Sequence, residues 1–442
     1  MKTTYPQYHF RPHKNWINDP NGTIYHNGYY HIFYQYNPTS DSWGNLHWGH
    51  TRTKDFINYE VLSDNLYPQK ETGETDCFSG CIAINKDDIP VAIYTSVSFE
   101  KEDIPNIQKS VFLNEDLTKF DKNRIESIKI NQSDLPIIRN DWRDPYVFKV
   151  EDRNFLVLGA AIGEKQTPVV LLFENTDGSL TNWKYIKELI SFRPVIELFE
   201  CPNFFKLQNK WVLLGSPYQE VEFYLGSFDV EKLDFVVEKS GVIDHCAQYY
   251  ATNTIQDDKM RTIIFAFERG FSKDQGWNNV ISTPREISIN DKNEIIQKPI
   301  NEIYSLRKKL LINDLSFDLT NVKQFTDENF VQSEINFNLK LKDNLKTNLV
   351  LRSEKMGICQ ILFSQTGVKF DNIFIPFEKT NSIEVKLLID HSILELFLLD
   401  GKHCATRIIE SIKDLNCIEF RGNGEIKNLN AYEMGNLNIT ES

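Results

Sequence analysis

The sequence predicts an all-β protein of two domains, a five-bladed β-propeller over residues 1–300 and a β-sandwich over residues 315–442. Three observations predict this architecture. Short alternating or apolar runs recur along the chain, a weak repeat divides the first 300 residues, and the composition changes after residues 282–289. A chain of 442 residues is also too long for one ordinary core and is typical of two or three domains.

The strand prediction rests on patterns of period two. Runs such as TIYHNGYYHIFYQ, TPVVLLFENTDGSL and SILELFLLDG are separated by Asn, Asp, Gly and Lys, and long helical periodicity is scarce. Aromatic residues make up 12% of the chain, enough to fill large cores, which excludes a disordered protein. The stretch DPNG, Asp19 to Gly22, joins two turn dipeptides and predicts a tight turn.

The repeat becomes visible when three segments are aligned on an acidic residue. The segments NDPNGTIYHNGYYHIFY, RDPYVFKVEDRNFLVLG and ECPNFFKLQNKWVLLG each place an acid before Pro or Cys-Pro. A short strand, a polar turn and a second apolar strand follow, and the aromatic residue that opens the second strand lies 11 residues after the acid. The acids are Asp19, Asp144 and Glu200, and the aromatic residues are Tyr30, Phe155 and Trp211.

Two looser copies extend the repeat to five. Tyr250 lies 11 residues before Arg261, and Ser79 lies 11 residues before Pro90. Five copies give roughly 60 residues each, a plausible length for a four-stranded propeller blade. Because equivalent positions in successive blades face one central axis, we expect the three acids to converge in one funnel.

The second domain is predicted from the change in composition. A polar connector follows residues 282–289 and runs to about Asp314. Further alternating strands, from SEINFNLKL to CIEFRG, then run to about Met434. Several short strands with polar turns predict an antiparallel sandwich.

The composition excludes several classes of partner. A net charge of −13 argues against nucleic acid and anionic membranes, and no apolar run approaches the roughly 20 residues of a membrane span. The N-terminal residues lack the apolar core of a signal peptide, and the seven cysteines have irregular spacing. We therefore expect a reduced, cytoplasmic setting, whereas the oligomeric state stays open.

Six blocks of the sequence, in order, resemble the fructosyl-processing enzymes of glycoside hydrolase family 32, which include invertases, sucrose-6-phosphate hydrolases, inulinases and levanases. The blocks are HFRPHKNWINDPNG, YQYNP, WGNLHWGHTRTKDFINYE, FSG, WRDPYVF and FECPNFF. A further stretch, HSILELFLLDGKHCATRI, resembles part of the family's C-terminal domain. The resemblance implies a five-bladed propeller followed by a β-sandwich, which the repeat predicts independently.

The resemblance also implies a role for each acid. Asp19 resembles the family's nucleophile, Glu200 its acid/base, and Asp144 the acid that stabilises the transition state. Asp244 is expected to reach the leaving-group side of the pocket. The residues expected to contact substrate are Asn18, Gln35, Trp43, Phe78, Ser79, Arg143, Asp244, Tyr250 and Trp277.

The sequence departs from the family pattern beside these blocks. Cys246 stands where the family has Gly, Gln248 where many bacterial members have Asp, and Thr252 where they have Pro. Asn203 replaces the usual Asp, and Cys81 the usual small residue. None of these positions is one of the three acids, so the departures concern preference for the leaving group rather than the chemistry.

Cleavage with retention requires two carboxyl groups with different tasks, about 5–5.5 Å apart. One attacks the anomeric carbon, and the other protonates the leaving oxygen and later deprotonates water. We expect Asp19 to stay ionised through hydrogen bonds from turn N–H groups and Asn18, and Glu200 to stay protonated because its neighbours are negative. Asp144, beside Arg143, is expected to bind sugar hydroxyls.

The sequence therefore predicts a retaining β-fructofuranosidase that hydrolyses terminal β-D-fructofuranosides such as sucrose, sucrose-6-phosphate or short fructo-oligosaccharides. A fructosyltransferase with the same acids, a non-catalytic fructan-binding protein and an inverting hydrolase are the alternatives. The leaving group stays open. No cofactor and no metal is predicted, because His47 and His50 have the spacing H-x-x-H without a third ligand, and strand spacing would point them apart.

Overall fold

The computed structural model describes residues 5–100, 106–130, 137–163, 166–192, 198–342, 345–353 and 356–441. The start of the first predicted domain, residues 1–4, and the end of the second, residue 442, therefore lie outside the described residues. These residues form β-strands joined by loops and short 3-10 helices, which confirms the all-β prediction. The 3-10 helices span Lys70–Thr72, Asn301–Leu306, Glu328–Val331 and Glu410–Asp414. Within the described ranges, no helix is long and apolar enough to cross a membrane.

The chain divides into two compact units that interleave in sequence. The large unit comprises Arg11–Ile243, Tyr249–Pro284 and Ile439–Ser442, and the small unit comprises Met1–Phe10, Asp244–Gln248 and Arg285–Asn438. Of the described residues within the range predicted for the propeller, 5–10, 244–248 and 285–300 belong to the small unit. Hydrogen bonds within the small unit explain the first of these exchanges, because the backbone N–H groups of residues 7–9 donate to the Asp390 carboxylate.

Five sheets make up the large unit within the described residues. The first sheet holds β1 (Asn15–His26), β2 (Tyr29–Asn37), β3 (His47–Thr53) and β4 (Asn58–Leu66), and the second holds β5 (Asp76–Ile84), β6 (Pro90–Val97), β7 (Ile107–Leu113) and β8 (Phe120–Ser127). The third holds β9 (Lys129–Ile130), β10 (Ile137–Val150), β11 (Arg153–Ile162), β12 (Thr167–Asn175) and β13 (Asn182–Ser191). The fourth holds β14 (Glu200–Leu207), β15 (Lys210–Ser216), β16 (Glu222–Asp229) and β17 (Asp234–Val242), and the fifth includes β18 (Tyr249–Gln256), β19 (Thr262–Glu268) and β21 (Val280–Ile281). A short strand, β20 (Trp277–Asn278), pairs in parallel with the start of β1.

Successive sheets of the large unit pack against each other through apolar cores. One core joins Phe33 and Trp48 of the first sheet to Tyr94 of the second. The next joins Ile93 of the second sheet to Leu158 of the third. A further core joins side chains of the third sheet to side chains of the fourth, among them Phe148, Val157, Phe204 and Trp211. Face-to-face packing of consecutive sheets fixes the spatial order of the strands that begin each sheet.

The strands that carry the repeat lie at the edges of their sheets. β5, β10, β14 and β18 have one neighbour each, and β20 covers β1 only at its first two residues. Each of the five strands also shifts its pairing register at the repeat motif. The shifts fall at positions 17–20, 77–80, 143–146, 200–203 and 250–253. Such β-bulges bend a strand locally and re-aim its side chains.

The stretch Asp19–Gly22 is part of β1 and not a tight turn, so that prediction was wrong. The pairing of β1 with β2 shifts in register between Ile17 and Pro20 and again between Asn21 and Ile24, so the stretch stays within the strand as a pair of bulges. Pro20 has no N–H group to donate. At Pro20, β1 pairs with β2 but not with β20, so the strand is an edge strand there and a missing ladder hydrogen bond is tolerated. Gly22 adopts the left-handed conformation that glycine allows.

The small unit contains a hairpin and two six-stranded sheets. The hairpin is β22 (Arg285–Ile289) and β23 (Ile295–Pro299). One sheet has β24 (Arg307–Asp318), β26 (Gln332–Leu341), β31 (Ser382–Asp390), β32 (Ile393–Leu398), β33 (His403–Ile408) and β35 (Gly424–Met434). The other has β25 (Lys323–Thr326), β27 (Thr347–Arg352), β28 (Gly357–Ser364), β29 (Gly367–Phe370), β30 (Ile373–Pro376) and β34 (Cys417–Gly422). Both sheets contribute to one buried core. The last strand, β36 (Asn438–Glu441), belongs to the large unit from Ile439 onward and pairs with β4 in the first sheet.

Candidate active site

The bulged edge strands of the large unit bring their polar residues to one pocket of about 460 Å³. The three predicted acids line it, one each from β1, β10 and β14. Seven of the predicted substrate contacts line it as well, namely Asn18, Gln35, Trp43, Phe78, Ser79, Arg143 and Tyr250. The convergence expected from the repeat is therefore present in the structure.

Side-chain donors surround the Asp19 carboxylate. Its Oδ1 accepts a hydrogen bond from Asn18 Nδ2 at 3.0 Å, and its Oδ2 accepts one from Ser79 Oγ at 2.5 Å. Gln35 links these two donors, because its Oε1 accepts from Asn18 at 2.5 Å and its Nε2 donates to Ser79 Oγ at 2.7 Å. Cys201 Sγ lies 3.4 Å from Asp19 Oδ2. Asn18 acts as a donor as expected, whereas the other donors are side chains rather than turn N–H groups.

Asp144 sits in a left-handed backbone conformation at the bulge of β10, with φ 65°. Its N–H donates to Thr95 Oγ1 at 3.0 Å, and its Oδ2 accepts from the backbone N–H of Cys201 at 2.9 Å. Aspartate tolerates this conformation better than bulkier residues do. The bulge thus turns the Asp144 side chain into the pocket beside the strand that carries Glu200.

Three side chains hold the Glu200 carboxylate. Oε1 faces Arg143 Nε at 3.1 Å, Arg143 Nη2 at 2.8 Å and the hydroxyl of Tyr218 at 3.0 Å. Oε2 lies 2.7 Å from the hydroxyl of Tyr250. Arg143 therefore pairs with Glu200 across β10 and β14 rather than with its neighbour Asp144.

Burial decides the electrostatics of the two aspartates. It raises the pKa of Asp19, and the hydrogen bonds from Ser79 and Asn18 oppose that rise without cancelling it. Burial also raises the pKa of Asp144; the charge of Arg143 acts against the rise, and the negative charges of Glu200 and Asp19 add to it. Desolvation therefore acts against the expectation that hydrogen bonds help Asp19 to stay ionised, and it outweighs those bonds.

Aromatic rings form one wall of the pocket. Trp43, Phe78 and Phe99 contact one another, with ring centroids 5.8–6.2 Å apart. Trp43 is 51% exposed and Phe99 is 58% exposed, so neither is a core residue. Exposed aromatic faces at a pocket suit the apolar face of a sugar ring.

Two predicted substrate contacts, Asp244 and Trp277, are not among the residues that line this pocket. Asp244 belongs to the small unit, where its buried carboxylate pairs with Arg285 Nη1 at 3.0 Å and accepts from Thr406 Oγ1 at 2.8 Å. Trp277 is buried in the large unit beneath the guanidinium of Arg11. Both side chains make structural contacts with partners far away in the sequence.

The pocket also contains residues that were not predicted from the sequence. Tyr218, Phe99 and Phe267 line the pocket, and Cys201 contacts both Asp19 and Asp144. Tyr218 lies in the loop after β15, outside every motif of the repeat. Of these residues, Cys201 is the one that the sequence could have indicated, because it directly follows Glu200.

His50 of the H-x-x-H motif and the residues that depart from the family pattern lie in packed surroundings. His50 Nε2 lies 3.0 Å from His31 Nδ1, and the His50 ring stacks on Phe33 at 3.8 Å. Burial lowers the pKa of both histidines, which favours neutral, packed rings. The substituted residues Cys81, Asn203, Cys246 and Thr252 are buried, and Gln248 accepts from the backbone N–H of Ile408.

Comparisons with known proteins identify the family of this chain. The family model described as the glycosyl hydrolases family 32 N-terminal domain matches residues 9–299, about two thirds of the chain. The chain belongs to glycosyl hydrolase family 32. As a member of that family it is a glycoside hydrolase, and the resemblance seen in the sequence motifs is confirmed.

Curated relatives and solved structures give the same family. A sucrose-6-phosphate hydrolase of Zymomonas mobilis subsp. mobilis is 28% identical over 440 residues, covering 90% of this chain and 84% of the relative. A levanase of Bacillus subtilis is 27% identical over 499 residues, covering 97% of this chain and 70% of the relative. A family 32 beta-fructofuranosidase of Bombyx mori has a TM-score of 0.82 at 25% identity, covering 99% and 95% of the two chains. A fructan 1-exohydrolase of Cichorium intybus has a TM-score of 0.83 at 21% identity, covering 99% of each chain, which establishes likeness of fold.

Proposed function

We propose that this glycoside hydrolase is a retaining β-fructofuranosidase that hydrolyses terminal β-D-fructofuranosides such as sucrose, sucrose-6-phosphate or short fructo-oligosaccharides. One observation carries the proposal, namely that carboxylates from β1, β10 and β14 meet in one pocket with different partners. The names of the relatives support the substrate class. Solved structures similar to this chain also include a variant of the Bombyx mori enzyme with sucrose and a variant of the Cichorium intybus enzyme with 1-kestose.

In the first step, Asp19 attacks the anomeric carbon of the fructosyl unit and forms a covalent ester with it. Glu200 gives its proton to the glycosidic oxygen, so that the leaving sugar departs as an alcohol. Positive charge grows on the ring during this step, and hydrogen bonds between Asp144 and ring hydroxyls strengthen as it does. The donors Asn18 and Ser79 hold the Asp19 carboxylate in the geometry of attack.

In the second step, water replaces the fructosyl–Asp19 bond. Glu200, now a carboxylate, takes a proton from the water as the water oxygen attacks the anomeric carbon. Asp19 leaves as a carboxylate, fructose is released, and Glu200 is protonated again. Two displacements at the same carbon retain the β configuration.

The finer fold and the cellular setting are proposals of the same kind. The five packed sheets of the large unit support a five-bladed β-propeller, and the shared core of the two six-stranded sheets supports a β-sandwich. Seven free cysteines support a reduced, cytoplasmic setting. The leaving group is left to experiment.

The first experiment is the release of free glucose and free fructose over time from concentrated sucrose by the purified protein. Equal release means hydrolysis. Glucose in excess of fructose means transfer to another sugar, the alternative activity of the same acids. If neither product forms, sucrose-6-phosphate and short fructans are tested next, and inactivity on all of them would leave a fructan-binding protein and contradict the proposal.

Substitution of the two reacting carboxylates tests the mechanism. We expect Asp19→Ala and Glu200→Ala each to lower kcat by at least about 10³-fold, since each step needs its group. With 4-nitrophenyl β-D-fructofuranoside, whose leaving group departs without a proton, azide should rescue Glu200→Ala and give β-fructosyl azide, because the second displacement by azide needs no general base. An α-configured azide would indicate inversion, and activity like the wild type in either variant would exclude these roles. Glu222→Ala, outside the pocket on β16, is the control, and thermal melting checks the fold of each variant.

A further inference from the structure

We propose that Tyr218 is a positioning residue for the acid/base, which holds one oxygen of Glu200 so that the transferable proton resides on the other. The inference rests on the proposed function and assigns a task to a residue outside every sequence motif. Tyr218 lines the pocket and is 46% exposed, so it is not a core residue.

Hydrogen bonding places Tyr218 between the two groups that define the acid. Its hydroxyl donates to Glu200 Oε1 at 3.0 Å and accepts from Arg143 Nη2 at 2.5 Å. Its backbone N–H donates to the hydroxyl of Tyr250 at 3.0 Å. One residue thus contacts Arg143, Glu200 and Tyr250 at once.

The two oxygens of Glu200 have different surroundings as a result. Oε1 faces three N–H or O–H donors, two from Arg143 and one from Tyr218, so a proton on Oε1 would point at other hydrogens. Oε2 faces the hydroxyl of Tyr250, which has a second acceptor within reach, the carbonyl of Ser216 at 3.0 Å. When Oε2 carries the proton, the Tyr250 hydroxyl can turn its own hydrogen to Ser216. The proton that Glu200 delivers therefore resides on Oε2.

The backbone of Tyr218 is consistent with a functional position. Its φ is 65°, in the left-handed region that bulky residues avoid at a cost on the order of 1 kcal/mol or more. Its polar contacts hold this conformation.

The test compares Tyr218→Phe with the wild type on two substrates. Sucrose has a poor leaving group that needs the proton from Glu200, whereas 4-nitrophenyl β-D-fructofuranoside has a leaving group that departs without one. We expect kcat/KM for sucrose to fall by at least about 10-fold, the range for one hydrogen bond to a charged group. The aryl fructoside should lose less than about 3-fold, since attack by Asp19 is untouched.

Two further variants separate positioning from folding. Tyr218→Gly relieves the left-handed strain, so it should melt no lower than the wild type and still lose sucrose activity. Tyr224→Phe removes a comparable bond, from a tyrosine hydroxyl to Glu222 Oε2 at 2.6 Å, outside the pocket and should leave both substrates unaffected. Equal losses on both substrates, or no loss on sucrose, would overturn the inference. A wild type inactive on both substrates would overturn the proposed function, and this inference with it.

Discussion

At the scale of single residues, the pocket combines groups that would be costly elsewhere. Asp19, Asp144 and Glu200 bring three carboxyl groups together, and burial raises the pKa of both aspartates. A carboxyl group whose pKa is raised on folding binds its proton more tightly in the folded state. At pH values above its ordinary pKa, such a group lowers the free energy of unfolding. The carboxyl groups that the site needs for its chemistry therefore reduce the stability of the protein.

Asp144→Asn tests this exchange. The unfolded chain loses the Asp144 proton near pH ~3.9, before the folded protein does, so the wild type loses stability as pH rises from that value. We expect the variant to be more stable than the wild type at pH 7 by on the order of 1 kcal/mol or more, with the difference shrinking as pH falls toward 4. Activity should fall, since the carboxylate is lost. Chemical denaturation at both pH values measures the effect.

Asp55→Asn is the control of opposite sign for that prediction. Burial raises the pKa of Asp55, but hydrogen bonds from Asn58 and Ile57 outweigh it and hold the pKa below the ordinary value. This group stabilises the folded protein above its ordinary pKa, so its removal should cost stability at pH 7. An Asp144→Asn variant that is less stable than the wild type at pH 7 would contradict the argument.

At the scale of elements, the site is built by one device used five times, a bulged edge strand. The acid-to-strand spacing was enough to predict which residues converge, because equivalent strands of packed sheets face the same space. The DPNG stretch was misread as a turn, because turn dipeptides also suit a bulge at a sheet edge. Tyr218 could not be predicted, because it lies in a loop and the conformation of that loop leaves no periodic pattern in the sequence.

Gly159→Ala tests how closely neighbouring sheets must approach to place Glu200. A Cβ at Gly159 of β11 would meet the carbonyl oxygen of Phe199 at 2.3 Å, and that carbonyl directly precedes Glu200. Because backbone cannot yield as a flexible side chain can, we expect β14 to shift at its first residue. kcat/KM should fall at least about 10-fold, and stability by about 1–3 kcal/mol. Gly357→Ala is the control, since its nearest neighbour would be 3.8 Å away, and activity unchanged in Gly159→Ala would contradict the prediction.

At the scale of the whole molecule, the all-β fold class could be predicted from the sequence. The interleaving of the two units along the chain could not. The contacts that define the small unit join residues hundreds of positions apart. His9 lies between two carboxylates, Asp390 at 2.9 Å and Glu395 at 2.8 Å, and Arg285 pairs with Asp244 and Glu395. Each of these residues looks like an ordinary polar residue in its own segment, so no local pattern in the sequence marks these contacts.

A fragment of residues 1–300, cut where the sequence suggested a domain end, should therefore not fold as an independent unit. It keeps His9, Asp244 and Arg285, which are buried in the small unit, but loses Glu395 and Asp390. Removing one partner of a buried ion pair costs about 3–5 kcal/mol, a large share of the stability of a typical domain. Calorimetry should show no cooperative transition in the fragment and a cooperative one in the full chain. A fragment that melts cooperatively and cleaves sucrose would contradict this prediction, because it would show that the contacts of His9, Asp244 and Arg285 with residues after position 300 are dispensable.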